Sequence, residues 1–259
     1  MFENMNVKKI NEFINNVEIK DYVKYIDMLK NDKRKSVQKI ALKLSKKLDD
    51  IKKEEERIEK LKIYEREGYN SGYKYIGGVD EAGRGPLAGP VVAAVVVLNE
   101  DTVIKGINDS KKLSEKKREE LFEIIKKEAI DYGIGIVGNE EIDKFNILNA
   151  TYMAMKKALN NLKNKPDYLL VDAEIIPNVG IPQNSIIQGD AKSISIAAAS
   201  ILAKVTRDKI MCEYDEIYPE YRFSKHKGYG TKEHYEAIEK YGITSIHRKS
   251  FLKSILNGD

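Results

Sequence analysis

Two apolar runs rich in β-branched residues, Tyr73–Val79 and Val91–Leu98, stand either side of Ala82-Gly83-Arg84-Gly85-Pro86-Leu87-Ala88-Gly89-Pro90. Runs of this kind read as buried strands, and a connection so dense in glycine and proline can continue neither as strand nor as helix. The first run ends on two adjacent carboxylates, Asp80 and Glu81. Neighbouring acids with no base between them repel, so a fold that gathers them calls for a divalent cation, whose natural substrate is phosphate.

Upstream of Gly72 the pattern is different. Residues 1–70 contain no proline, and their apolar positions recur at three and four, as in Ile10, Phe13, Ile14 and Val17. That spacing predicts helices, the third running from about Ser36 to Glu67, with Gly68-Tyr69-Asn70-Ser71-Gly72 as the stop. The expected division is a helical, basic extension over 1–72 and a second domain over 73–259. The net charge of +4 lies in the first part, where residues 1–70 hold 18 Lys and Arg against 14 Asp and Glu. The charged run from Lys52 to Glu59 reads as a solvated helix face.

Beyond Gly72 further strands are predicted at Ile134–Val137, Tyr168–Val171 and Ser185–Ile187. Helices are predicted at Ser114–Ile130, Ile147–Leu162, Ser193–Tyr214 and Thr231–Tyr241, with Asn108, Asp109 and Ser110 as candidate caps for the first. Strands in succession followed by alternation with helices imply an α/β fold, a mixed sheet covered by helices. A 42% hydrophobic fraction in 259 residues suffices for such a core. No run is long enough for a membrane span and no export signal is visible, so a cytoplasmic location is expected. The single cysteine, Cys212, reads as a packed or incidental thiol.

Four acids end strands or begin loops: Asp80, Glu81, Asp172 and Asp190. Taken singly, Asp172 could merely end a strand and Asp190 could cap a helix; together with Asp80 and Glu81 they read as a metal site. Carboxylates suit Mg2+ or Mn2+, which keep positions open for water and phosphate. Zinc is disfavoured, because His226, His234 and His247 lack ligand spacing. His234 and His247 read as helix-face or hydrogen-bonding residues. Gly83-Arg84-Gly85 lacks the Gly-Lys-Ser/Thr of a nucleotide cradle and precedes a strand, so it reads as a loop whose amides and Arg84 approach a nucleic-acid backbone. Lys192 opens a helix, placed to neutralise phosphate. Tyr229, between two glycines, presents a ring able to stack on a sugar or base.

The motifs Asp-Glu-Ala-Gly-Arg-Gly-Pro-Leu-Ala-Gly-Pro (80–90), Asp-Ser-Lys-Lys-Leu (109–113), Val-Asp-Ala (171–173), Gly-Asp-Ala-Lys-Ser (189–193), His-Lys-Gly-Tyr-Gly-Thr (226–231) and His-Arg-Lys-Ser-Phe (247–251) resemble the ribonuclease HII family in order and spacing. The resemblance implies a ribonuclease H-like fold with a mixed five-stranded sheet flanked by helices. It implies an endoribonuclease that cleaves the RNA strand of RNA–DNA hybrids and incises 5′ of single ribonucleotides in duplex DNA, by two-metal-ion hydrolysis giving 3′-hydroxyl and 5′-phosphate ends. Asp80, Glu81, Asp172 and Asp190 would be the catalytic acids, with Asp80, Glu81 and Asp172 holding Mn2+ or Mg2+. Gly83, Arg84, Gly85, Lys192 and Tyr229 would bind the substrate. Roles in ribonucleotide excision repair and DNA replication follow from the same likeness. The rivals are a ribonuclease HIII-like nuclease, against which the helical extension and Gly83-Arg84-Gly85 argue, and a non-catalytic hybrid-binding protein, against which the four acids argue. No sliding-clamp motif is seen, and a monomer is expected.

Overall fold

A computed structural model of the protein describes residues 1–253, and the chain divides into two compact units, 1–59 and 60–259. The first consists of α1 (Val7–Asn15), α2 (Tyr22–Lys30) and most of α3 (Lys35–Leu61). Asn6 starts α1, its Oδ1 accepting the N–H of Lys9 at 2.9 Å. Ile10, Ile14, Ile26, Leu29 and Val37, at the helical spacing, form its core. Arg34 ties the entry to α3 by donating to the carbonyl oxygens of Met5 at 2.6 Å and Phe2 at 2.8 Å while pairing with Asp32 at 2.7 Å.

The third helix does not run unbroken to Glu67. It stops at Leu61, and α4 (Ile63–Asn70) begins after Lys62, which has φ −93° and ψ 3°. Lys62 is buried, with its ammonium donating to the Glu100 carbonyl at 3.0 Å. Residues 60–72 pack within the second unit.

That unit is built on five strands in the order β3-β2-β1-β4-β5. The first two, β1 (Ile76–Ala82) and β2 (Val91–Val97), pair antiparallel. After α5 (Glu115–Glu128) comes β3 (Asp131–Val137), antiparallel to β2; after α6 (Asn139–Asn160) come β4 (Tyr168–Asp172) and β5 (Gln183–Ile186), parallel to β1 and to β4 respectively. Beyond β5 come α7 (Ile194–Ile217), the short α8 (Phe223–His226) and α9 (Lys232–Tyr241). The sheet is mixed and helices flank it, as the sequence predicts. Among the described residues no helix is long and apolar enough to cross a membrane.

Alternation along the strands sets the two faces. Val79, Ala93, Val95 and Val171 pack with Ala150, Ala154 and Ala158 of α6. The opposite face meets α7, where Gly78 lies so close to the backbone of Ser195 and Ile196 that any β-carbon would overlap it. Gly78 is required there by space alone.

Two local expectations are corrected and a third holds. Strand β1 begins at Ile76, not Tyr73, and carries Asp80 and Glu81 within its last residues, where they pair with the small Ala94 and Ala93. Within α6, Asn146 leaves the helical region with φ 66° and ψ 166°, so the span is two helices across a kink, and the second starts at Ile147 as predicted, with the Asn146 side chain accepting the Asn149 N–H at 3.0 Å. The cap of α5 is Ser114, bonded to the N–H of Lys117 at 3.3 Å, and Asp109 instead opens the single turn Ser110–Lys112.

Candidate active site

The register of the central strands brings two of the acids together. Val79 of β1 faces Val171 of β4, so Asp80 and Asp172, each one residue further on, end neighbouring parallel strands. Glu81 follows on β1, opposite Ala93 of β2. Asp190 arrives from the turn Gly189–Ala191 beyond β5, and it is Ser193, not Asp190, whose side chain caps α7.

Burial at this strand end is costly for carboxylates, and their titration reflects it. Burial raises the Asp80 carboxyl well above the ordinary carboxylate range, and Glu81 and Asp172 push it the same way. Glu81 is raised by burial and by Asp172 and Glu174, against the opposing pull of Arg84. Asp190 is raised by burial and by Asp109, against Lys111. Burial disfavours the Lys111 cation, yet Asp190, Asp80, Asp109 and Asp172 together raise its pKa, so the field of four acids converges on this lysine. Its ammonium lies 3.7 Å from Asp190.

Arg84 sits between Glu81 and Glu174, its Nη1 at 3.3 Å from each, and Tyr152 donates to Glu174 at 3.1 Å. A cleft of about 300 Å³ runs past Glu81 along Gly83, Arg84 and Gly85 to Lys111, Lys204 and Tyr229. Tyr229 is 44% exposed, and the Arg207 guanidinium lies 5.9 Å from its ring centroid. Lys192 is elsewhere, exposed and donating to the Ile187 carbonyl at 2.8 Å, and it does not line the cleft.

Beneath the loop lie two arginines that sequence reasoning passed over. Arg248 is fully buried and donates to the carbonyl oxygens of Gly83 at 2.7 Å, Arg84 at 3.0 Å, Gly89 at 2.8 Å and Pro90 at 3.2 Å. Arg207 donates to Pro90 at 2.9 Å, Ala88 at 3.1 Å and Lys227 at 2.9 Å. Burial lowers Arg207 to about 10 and Arg248 to about 9. With their carbonyls turned down onto guanidinium groups, residues 83–90 take a fixed path, and Gly83 meets it with φ 96°.

The three histidines also converge. His234 Nδ1 donates to the Tyr229 carbonyl at 2.9 Å, and its Nε2 lies 3.0 Å from His247 Nε2, whose Nδ1 accepts the Thr244 N–H at 2.9 Å. Those partners require neutral rings and hold the backbone beside Tyr229. Cys212 is half-buried, with the Lys227 ammonium 3.2 Å from its sulfur.

The acids present suit a hard divalent cation. Glu81 Oε2 is buried without a hydrogen-bond partner, and the raised carboxyls are what uncompensated acids in a shared site show. Among the described residues no three acids, histidines or cysteines already close on one point as tightly as an ion would draw them. Asp172 Oδ1 is held at 2.7 Å by the Gly189 N–H.

A mixed five-stranded sheet with acids at the ends of its central parallel strands defines a ribonuclease H-like protein. The ribonuclease H2 of Pyrococcus horikoshii OT3, a solved structure, is 32% identical, matching 68% of this chain and 93% of that one with a TM-score of 0.58. A ribonuclease HII of Clostridioides difficile (strain 630) is 70% identical over 98% of this chain and 100% of its own length, and one of Acetivibrio thermocellus is 53% identical over 98% and 99%. The family model for ribonuclease HII matches residues 77–254 and that for its N-terminal domain matches 6–69. The chain belongs to the ribonuclease HII family, metal-dependent endonucleases that act on RNA–DNA hybrids.

Proposed function

We propose that the protein incises duplex DNA on the 5′ side of a single embedded ribonucleotide, as well as cleaving the RNA strand of continuous hybrids, and leaves 3′-hydroxyl and 5′-phosphate ends. Asp80, Glu81 and Asp172 hold divalent ions, Mg2+ or Mn2+, and Asp190 is the fourth acid. A pair of such ions supplies an activated water for in-line attack and stabilises the leaving oxygen.

The chain's own groups do the rest. Arg84, released from Glu81 and Glu174, and the Gly83 and Gly85 amides approach the phosphate and the 2′-hydroxyl, the one sugar group that separates RNA from DNA at a single nucleotide. The Tyr229 ring packs against the ribose at the RNA–DNA junction. Lys111, beside Asp190, balances local negative charge. The helical extension, with its surplus of positive charge, adds affinity for the duplex without reading it. The enzyme works as a monomer in the cytoplasm.

The observation that carries this reading is the cleft in which Glu81, the Gly83-Arg84-Gly85 loop and exposed Tyr229 share one wall system. An acid site next to a loop and ring of that kind suits inspection of one sugar at the point of cleavage. The test uses a DNA duplex with one ribonucleotide and an all-RNA–DNA hybrid, each incubated with Mg2+, Mn2+ or EDTA, with the ends mapped. Cutting of the hybrid alone, or ends of the opposite polarity, would refute it.

A further inference from the structure

The segment before the catalytic sheet holds a buried carboxylate that the reaction does not use. Glu65, on α4, is 5% exposed, and its Oε1 accepts from Ser193 Oγ at 2.5 Å, Ser195 Oγ at 2.6 Å and the Ser195 N–H at 3.0 Å. Its Oε2 is buried without a partner. A carboxylate at a helix N-terminus satisfies an amide the helix leaves open and meets the positive end of its dipole. Helix α4 is itself pinned on both sides, by Lys62 on the Glu100 carbonyl and by Tyr69 on the Leu98 carbonyl, each at 3.0 Å.

What hangs from this hook is the acid-bearing turn. The Ser193 N–H donates to the Gly189 carbonyl at 2.8 Å, and the Gly189 N–H donates to Asp172 Oδ1 at 2.7 Å, with Asp190 carried between them. On its far side the first turn of α7 packs on β1 at Gly78, so closely that a β-carbon there would overlap the backbone of Ser195 and Ile196. We infer that Glu65 is a positioning residue for the metal site, fixing Asp190 and the Asp172 carboxylate by holding the first turn of α7 against β1. The inference rests on the assignment of Asp172 and Asp190 to that site. Carboxylates serve a cation only when held to about 0.5 Å, and an error of about 1 Å costs on the order of a hundredfold in rate.

The test compares full-length wild type, Glu65→Ala and Glu65→Gln. Mn2+ binding is followed by the EPR signal of the free ion, amide hydrogen exchange is read over residues 189–196, and hybrid cleavage is resolved into kcat and KM. Glu65→Ala should raise the Mn2+ dissociation constant about tenfold or more, speed exchange at Gly189, and lower kcat with KM for the duplex within about twofold. Glu65→Gln keeps an acceptor oxygen and should stay within about threefold of wild type in Mn2+ affinity. If Glu65→Ala lowers the melting temperature yet binds Mn2+ and protects Gly189 as wild type does, Glu65 is a packing residue and the inference fails. Equal loss in both variants overturns it as well. Should Glu65→Ala not fold, Ser195→Ala, which removes one hydroxyl donor and keeps the N–H, should still weaken Mn2+ binding about threefold, and wild-type binding would overturn the inference. Wild-type protein that binds no Mn2+ would instead sink the metal-site assignment beneath it.

Discussion

Replacing Arg248 with alanine should unfix the Gly83–Pro90 loop, and the size of the effect follows from its contacts. The guanidinium bonds four carbonyls; Pro90 keeps a second donor in Arg207 Nε at 2.9 Å, whereas Gly83, Arg84 and Gly89 lose the Arg248 donor. A buried carbonyl left without a partner costs about 1–3 kcal/mol. Water entering the vacated space recovers part of that, and removal of a desolvated charge recovers more, leaving about 3–5 kcal/mol of lost stability. For a unit of this size about 2–4 °C accompanies each kcal/mol, so the melting temperature should fall by about 6–20 °C. Calorimetric melts in metal-free buffer check the first number, and hydrogen exchange across residues 83–90 checks that the loss is local. Arg248→Lys should recover less than half, since one ammonium cannot reach carbonyls that a planar fork bridges. A fall of less than about 3 °C, with exchange in the loop unchanged, would show that the loop holds its path without the arginine.

Asp80→Asn should abolish metal-dependent cleavage while leaving the far-ultraviolet spectrum and duplex binding intact; activity within a few-fold of wild type would remove Asp80 from the metal site. Tyr229→Ala should reduce incision at a lone ribonucleotide more than cleavage of a continuous hybrid, which offers many registers, and equal losses would make it a general binding residue. His234 and His247 have folded-state pKa values lowered by burial to about 4, against 6.5 for a free ring. The unfolded chain therefore binds more protons between pH 6.5 and 4, so stability should fall with pH through that window, as urea midpoints would record. Asp80, Glu81 and Asp190, raised by burial, act with the opposite sign, and His247→Asn should flatten the histidine part of the profile. A chain starting at residue 60, which keeps Lys62, Glu65 and Tyr69, should remain a folded, metal-dependent nuclease with weaker duplex binding and a flatter salt slope; unchanged binding at every salt concentration would end the idea that the helices grip the duplex.

What the sequence determined by itself is whatever a few neighbouring residues dictate. The helical period of residues 1–70 and the β-branched runs around the glycine and proline loop are local, and each element stands close to where its pattern predicts. Asp80 and Glu81 could be picked out because they are adjacent, and Asp172 and Asp190 because each follows a short apolar run. Local signals also misled at one point. Lys62 breaks α3 inside a run of good helix formers, where its ammonium meets the Glu100 carbonyl, whereas Asn146 separates two helices and caps the second, as the predicted start at Ile147 implies. Contacts between distant residues leave no such mark. Arg248 meets the Arg84 carbonyl across 164 residues and Glu65 meets Ser193 across 128, and neither arginine nor glutamate is unusual in its own neighbourhood. The pairing of Lys111 with Asp190 is of the same kind, since it depends on how the turn Gly189–Ala191 beyond β5 lies beside the turn Ser110–Lys112. Pairing register and burial decide such matters. They arise only once the sheet is assembled, because a charge is expensive or useless according to what packs around it.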